Sequence, residues 1–443
     1  MSGQAIGRTI DAVWRIESAR IIATVARMVR EIGLAEELAQ DALVAALERW
    51  PQTGIPANPG AWLTTVAKHR AIDHLRRRKL TDLKHEEIGR ELEAGFEAEF
   101  DAAASFADAM SDDDHIDDDL LRLLFVACHP VLSSEARVAL TLRVLGGLTT
   151  AEIARAFLAP EPTIAQRIVR AKRTLAEAQV GFDVPRAEER GERLESVLAV
   201  LYLIFNEGYA TTSGSEWTRP ALCQEATRLA RVLAELTPLE PEVHGLVALM
   251  EIQASRLRAR LGPGGEPILL LDQDRSRWDY LLIGRGLAAL KRAEALVGAG
   301  TPGSYVLQAA IAACHAQART AEETDWRRIA MIYAMLMSIA PSPMVELNRA
   351  VAVSMASGPE DGLAIVDALL ERKVLDRSHL LPCVRGDLLD KLGRREEARL
   401  EFERAASLAN NLRERKLMQD RADGLMAGTG SRKQFFRAGE STG

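Results

Sequence analysis

Apolar residues recur along this chain at three- and four-residue intervals, and no stretch alternates apolar and polar residues in the two-residue rhythm of a strand. Ile164, Ile168, Ala171 and Leu175 are the cleanest case, one narrow stripe on a single helix. Ala, Leu, Arg and Glu dominate the composition, and aromatic residues make up only 5% of it. The first four are strong helix formers, so the expected fold class is all-α. At 443 residues, 47% of them hydrophobic, the chain is too long for one ordinary core.

Shifts in pattern divide the chain into five stretches. Residues 8–80 read as helices broken by one Pro/Gly-rich loop, Pro51 to Gly60. Residues 81–119 are acidic: from 82 onward, fifteen Asp or Glu stand against Lys84 and Arg90. Such a run repels itself and is expected to be a solvated, flexible linker. Helical periodicity returns over 120–181, a longer helical body is expected over 186–425, and 426–443 reads as a flexible tail. Within the longer body Gly386, Ala398, Phe402 and Ala405 repeat the spacing of Ala350, Gly362, Val366 and Leu369, 36 residues earlier. Small residues at these places let paired helices approach closely, which looks like tetratricopeptide packing. Generic helical hairpins without a binding groove are the alternative.

Several function classes find little support. A net charge of −7 argues against a uniformly basic coat for nucleic acid, although locally placed positive charge still allows DNA binding. The four cysteines are scattered without a CxxC pair, which suits a reducing compartment. Cys128–His129 and Cys314–His315 are sequence neighbours, and neighbours on a helix diverge by roughly 100°, so no metal site is expected. Met1 to Arg8 lacks an apolar signal core and no stretch could span a bilayer; a cytoplasmic protein without membrane attachment is expected. An enzyme reading would rest on Glu207, Asp272 and Asp274 near Tyr209 and Trp278. Capping and ion pairing beside Arg275 and Arg277 account better for them, and no phosphate loop, GxSxG or HExxH occurs, so neither catalysis nor a cofactor is expected.

The sharpest local signal is a helix-turn-helix between Leu148 and Ala178. Thr149 and Glu152 have capping-box spacing, Ala159-Pro160-Glu161-Pro162 breaks the first helix, and the Ile164 stripe defines the second. Gln166, Arg170 and Arg173 lie opposite that stripe, flanked by Thr163 and Arg167. Gln and Arg near the start of a recognition helix suit base edges, and the later basic residues suit phosphates. Nearer the N-terminus, Ala39, Leu43, Ala46, Leu47 and Trp50 form an apolar stripe, while Glu37, Asp41 and Glu48 surround Gln40 and Val44 on the other face. An acidic face of this kind suits a basic protein partner. The segment from Ala61 to Lys79 has no clean stripe but a dense basic end.

Together these motifs resemble the extracytoplasmic-function group of RNA polymerase sigma factors. Glu36-Glu37-Leu38-Ala39-Gln40-Asp41-Ala42-Leu43 is similar to the region that grips the polymerase clamp, which implies core-polymerase contacts at Glu37, Leu38, Gln40, Asp41 and Val44. Trp62-Leu63 through Ala71-Ile72-Asp73-His74-Leu75-Arg76-Arg77 resembles the promoter-melting helix, implying −10 contacts from Lys68, His69, Arg70, Arg76 and Arg77. A single-base-capturing loop, as in this group, would then lie within Pro51 to Gly60. The helix-turn-helix resembles the −35-reading region, implying DNA contacts from Thr163, Gln166, Arg167, Arg170, Lys172 and Arg173. Pro162 stands where glycine is usual and Ala165 where a basic residue is frequent, so no base contact is carried over to those two positions.

The remainder resembles one subgroup of that family with a fused tetratricopeptide-like extension. The resemblance rests on Leu201-Tyr202-Leu203-Ile204-Phe205-Asn206-Glu207-Gly208-Tyr209, on Asp272-Gln273-Asp274-Arg275-Ser276-Arg277-Trp278 and on Leu347-Asn348-Arg349-Ala350-Val351. It implies core RNA polymerase and promoter DNA as partners, and regulation through an extension that takes a protein or ligand. Two other classes fit parts of the pattern. A helix-turn-helix regulator acting without stable core binding explains the helix-turn-helix and the repeats but not the acidic Glu37/Asp41 face followed by a basic helix, and a tetratricopeptide-like scaffold predicts no DNA affinity at all, even at low salt.

Overall fold

A computed structural model describes residues 3–86, 116–157, 159–183, 185–209, 219–262, 268–376, 378–409 and 412–426. Among them there are eighteen α-helices, a few 3-10 turns and no strand. The chain divides into two compact units, residues 1–200 and 201–443.

In the first unit, α1 (Gly3–Val29), α2 (Ile32–Thr53) and α3 (Pro59–Glu86) pack on one another. Their shared core is built largely from small residues. Ala35, Ala39, Ala42 and Ala46 of α2 and Ala67 and Ala71 of α3 are fully or almost fully buried beside Ile21, Ile22, Leu63 and Trp50. Leu63, Ala67 and Ala71 supply the inward stripe that the apolar pattern of α3 does not reveal, because alanines mark a buried face only weakly by hydrophobicity. Leu47, expected in the α2 stripe, is instead 46% exposed. Pro51 lies in the last turn of α2, so the irregular loop shrinks to 54–58.

The helix-turn-helix body follows as α4 (Ile116–Ala127), α5 (Ser134–Val144), α6 (Thr150–Ala156) and α7 (Glu161–Glu177). It joins the first three helices in a single unit, since both α4 and α5 touch α1. The acidic stretch is shorter than its 81–119 reading: α3 continues to Glu86, and α4 begins at Ile116. Residues 87–115, the middle of that stretch, lie outside the described residues, as does the 427–443 part of the tail. Asp119 departs from the solvated reading altogether: it is 1% exposed and bonded to Arg122 at 2.8 Å and to Arg27 of α1 at 3.2 Å.

α8 (Ala187–Tyr209) carries the chain from the first unit into the second. The second unit contains α9 (Pro220–Leu236), α10 (Pro241–Ala254), α11 (Tyr280–Val297), α12 (Ser304–Gln317), α13 (Trp326–Ile339), α14 (Pro343–Ser357), α15 (Pro359–Glu371), α16 (Leu380–Lys391), α17 (Arg395–Leu408) and α18 (Leu412–Met426). Sequence neighbours pack as hairpins, and the repeat shows why. A Cβ on Gly362 of α15 would stand 2.7 Å from the Ala350 carbonyl of α14, and one on Gly386 of α16 would stand 3.2 Å from the Ala398 carbonyl of α17. Each glycine therefore lets two helix backbones meet.

Candidate nucleic-acid interface

The expected capping box forms. The Thr149 hydroxyl accepts from the Glu152 amide at 3.2 Å, and the Glu152 carboxylate accepts from the Thr149 amide at 2.8 Å. Burial pushes the Glu152 carboxyl up, but the bonds it accepts from the Thr149 amide and hydroxyl, with Arg15, outweigh this and hold it below the usual carboxylate range. The start of α6 is thereby fixed, and α7 packs against α5 and α6 through buried Ile164, Ile168, Ala171 and Leu175. Thr163, Gln166, Arg170 and Arg173 are exposed on the outer side of α7. A groove runs beside them, walled by Val131, Ser133 and Glu135 on one side and by Thr163, Gln166 and Arg170 on the other.

Arg173 pairs along its own helix with Glu177 at 2.6 Å, and two more of the expected −35 side chains are engaged with other helices. Arg167 pairs with Glu135 across that groove at 2.5 Å, and Lys172 turns away from the outer row to bind Glu36 of α2. A salt bridge must break before either side chain can hold a phosphate.

On α2, Glu37 and Val44 are exposed, Gln40 is half-buried and bonded to Glu36 at 2.5 Å, and Asp41 pairs with Arg70 of α3 at 2.6 Å. Leu38 does not belong to that face; it is 7% exposed and turns into the core. Val44 and Leu47 give the acidic face an apolar centre of the kind that protein interfaces use. On α3, His69, Arg76 and Arg77 are exposed, and Arg76 lies 3.6 Å from Asp73. Lys68 is half-buried; burial first, and Arg27 second, lower its pKa, while Asp119 raises it. Its ammonium thus faces the Arg27–Asp119 pair. Thr64 and Thr65 bond back to the carbonyls of Gly60 and Ala61, both at 2.9 Å.

The feature that sequence reasoning missed is the seam between α1/α2 and the helix-turn-helix body. Glu36 is 3% exposed and accepts from Arg143 of α5 at 2.6 Å as well as binding Lys172. Arg15 of α1 reaches Glu152 at 2.5 Å. Between them Gly147, at φ 65°, sits where a Cβ would lie 2.9 Å from the Ser18 hydroxyl, so both its conformation and its surroundings ask for glycine. No local signal announces these contacts, because the partners are 107 and 137 residues apart in sequence.

Comparison with known proteins accords with this arrangement. Residues 15–81 match the family Sigma-70 region 2, and residues 122–175 match Sigma-70, region 4. Over 181 residues the chain is 29% identical to the Probable ECF RNA polymerase sigma factor SigI of Mycobacterium tuberculosis, covering 41% of this chain and 59% of that protein. Sigma-70 region 2 and region 4 domains are both present in this chain.

The residues beyond region 4 have relatives of their own. Residues 193–294 match a family of unknown function, DUF6596. An uncharacterized protein of Rhizobium meliloti (strain 1021) is 44% identical over 402 residues, 90% of this chain and 92% of that protein. Within the second unit, Glu207 pairs with Arg219 at 2.7 Å, and Asp274 caps the turn Arg275–Arg277 through Ser276. Among the described residues no helix is long and apolar enough to cross a membrane, and no three metal-ligating side chains cluster.

Proposed function

We propose that this chain binds core RNA polymerase through the Glu37/Asp41 face of α2 and directs it to promoters. In this reading the Gln166/Arg170 row of α7 meets the −35 element, and the basic end of α3 meets the −10 element. The observation that carries the reading is the exposed row Thr163, Gln166, Arg170 and Arg173 on the second helix of a capped helix-turn-helix. The acidic, apolar-centred face of α2 on the same unit supports the polymerase half. The name of the Mycobacterium tuberculosis relative, and the family matches over both regions, point the same way. The C-terminal unit is the regulatory part in this reading.

The Glu36 seam adds a state to this function. With Lys172 and Arg167 held by carboxylates, the free chain binds promoter DNA poorly, and core polymerase draws the two DNA-reading bodies apart. Run-off transcription with core polymerase on genomic fragments tests the reading. Discrete transcripts that require both the chain and core polymerase are expected. Equal DNA affinity with and without core would instead make the chain a free-standing helix-turn-helix regulator.

A further inference from the structure

Three arginines of the second unit gather around two short 3-10 turns, Leu257–Ala259 and Arg275–Arg277, which pack on each other. Arg260 lays its guanidinium over the Tyr209 ring, with Cζ 3.8 Å from the centroid, and Arg256 approaches the same ring at 5.9 Å. Arg275 stacks on Trp278 at 4.8 Å and donates to the carbonyls of His315 and Ala318, both at 2.6 Å. Arg275 is therefore engaged at the end of α12. Arg256 is not engaged in this way.

Arg256 is 3% exposed, and its Nε and Nη2 are both buried without a hydrogen-bond acceptor. Among the described residues no carboxylate pairs with it, and the neighbouring Arg260 guanidinium carries a charge of its own sign. Burial lowers its pKa, Tyr209 acts in the opposite sense, and Arg260 lowers it further. His315, also buried, is held well below the ordinary imidazole range by burial, then by Arg256 and Arg275. A buried lysine would relieve such a field by shedding its proton, whereas a guanidinium keeps its charge. The contact with Tyr209 is too weak to offset the desolvation of a full charge.

The orphaned edge is also specific. Nε and Nη2 present two parallel N–H donors, the fork that matches the paired oxygens of a carboxylate or phosphate. Elsewhere in this chain Arg394 uses that same edge on both oxygens of Glu397, at 2.7 and 2.6 Å. We propose that Arg256, with Arg260 and Tyr209 beside it, anchors a binding site for a small oxyanion ligand, a molecule bearing a carboxylate or phosphate group. All three residues lie within the stretch matching the family of unknown function. The inference does not depend on the promoter-reading role, because anion binding alone reads it out.

The test uses the full chain and two probes, inorganic phosphate and acetate, each titrated against thermal unfolding at ionic strength held constant with chloride. A saturable rise in the unfolding midpoint is expected with one probe: phosphate identifies a phosphate-bearing ligand, acetate a carboxylate. Arg256→Lys keeps the charge but loses the fork, and should weaken the apparent affinity at least tenfold. Arg256→Met removes the buried charge with its two acceptor-less donors, so it should abolish the response while raising the midpoint without anion. No anion-specific rise in the parent chain, or an equal rise in Arg256→Lys, would overturn the site.

Discussion

Glu36 on α2 accepts a hydrogen bond from Arg143 on α5 at 2.6 Å, although 107 residues separate them, and the same carboxylate also binds Lys172 on α7. One buried charge thereby ties the α2 segment, whose outer face is the candidate polymerase surface, to the helix that carries the candidate DNA-reading row. The carboxylate is 3% exposed, while its two cationic partners are 23% and 24% exposed. Removing the acid leaves two cations that can turn to solvent, whereas removing a cation strands a buried anion.

Glu36→Gln should therefore loosen the seam without unfolding the helices. The expected cost is about 1–3 kcal/mol, the range for disrupting a buried hydrogen-bonded group. It should appear in urea unfolding followed by circular dichroism, and DNA affinity of the free chain should rise. A free chain whose DNA affinity stays the same would count against the closed state.

Charge reversal on the outer face of α2 has a different signature. The Asp41–Arg70 pair is half-exposed on both sides and contributes little to stability. Glu37→Lys with Asp41→Lys should thus leave the unfolding curve nearly unchanged and abolish assembly with core polymerase, measured by gel filtration. Undiminished assembly would remove this face from the interface.

Arg170→Ala acts on the exposed row of α7. A lost base contact should cost roughly 1–3 kcal/mol and relax preference at one promoter position. A lost phosphate contact should instead lower the salt slope of binding by about one. Titrations of the holoenzyme on promoter variants at several salt concentrations separate the two, and a change in neither excludes α7 as the reader.

Gly362→Ala probes the hairpin packing of the C-terminal unit. The new Cβ would meet the Ala350 carbonyl at 2.7 Å and Ser354 Cβ at 2.5 Å, so the helices must part. Overpacking of this kind costs about 1–3 kcal/mol, which exceeds the gain in helix propensity. The loss should be confined to the unfolding of the second unit, where a tryptophan-fluorescence transition from Trp278 and Trp326 reports it.

Acid should destabilise both units through imidazoles held neutral in the fold. Burial first, then Arg193, lowers the pKa of His129 to about 4 from 6.5, and its Nδ1 accepts from the Val131 amide at 3.1 Å. The unfolded chain takes up the proton near 6.5 while the folded one resists until about 4. The stabilisation is therefore present above 6.5 and is lost as pH falls through that window. His315 acts in the same direction in the second unit. Urea midpoints measured from pH 7 down to 4 should fall, and less steeply in His129→Gln.

The sequence alone determined whatever depends on neighbours a few residues apart. The helical periods, the capping box of Thr149 and Glu152, the buried stripe of α7 and the glycine–alanine spacing of the hairpins were all legible for that reason. Helix ends were less so: α3 outruns its apolar residues to Glu86, and its inward face is written in alanines. Leu38, Leu47 and Asp119 were misplaced because burial depends on which helices pack beside them, and a helix seen alone has no inside. Tertiary structure decided that Glu36, Arg143 and Lys172 meet, and that Arg256 is enclosed with its Nε and Nη2 lacking an acceptor. Both are relations between segments distant along the chain, and their strength comes from the low dielectric that only packing creates.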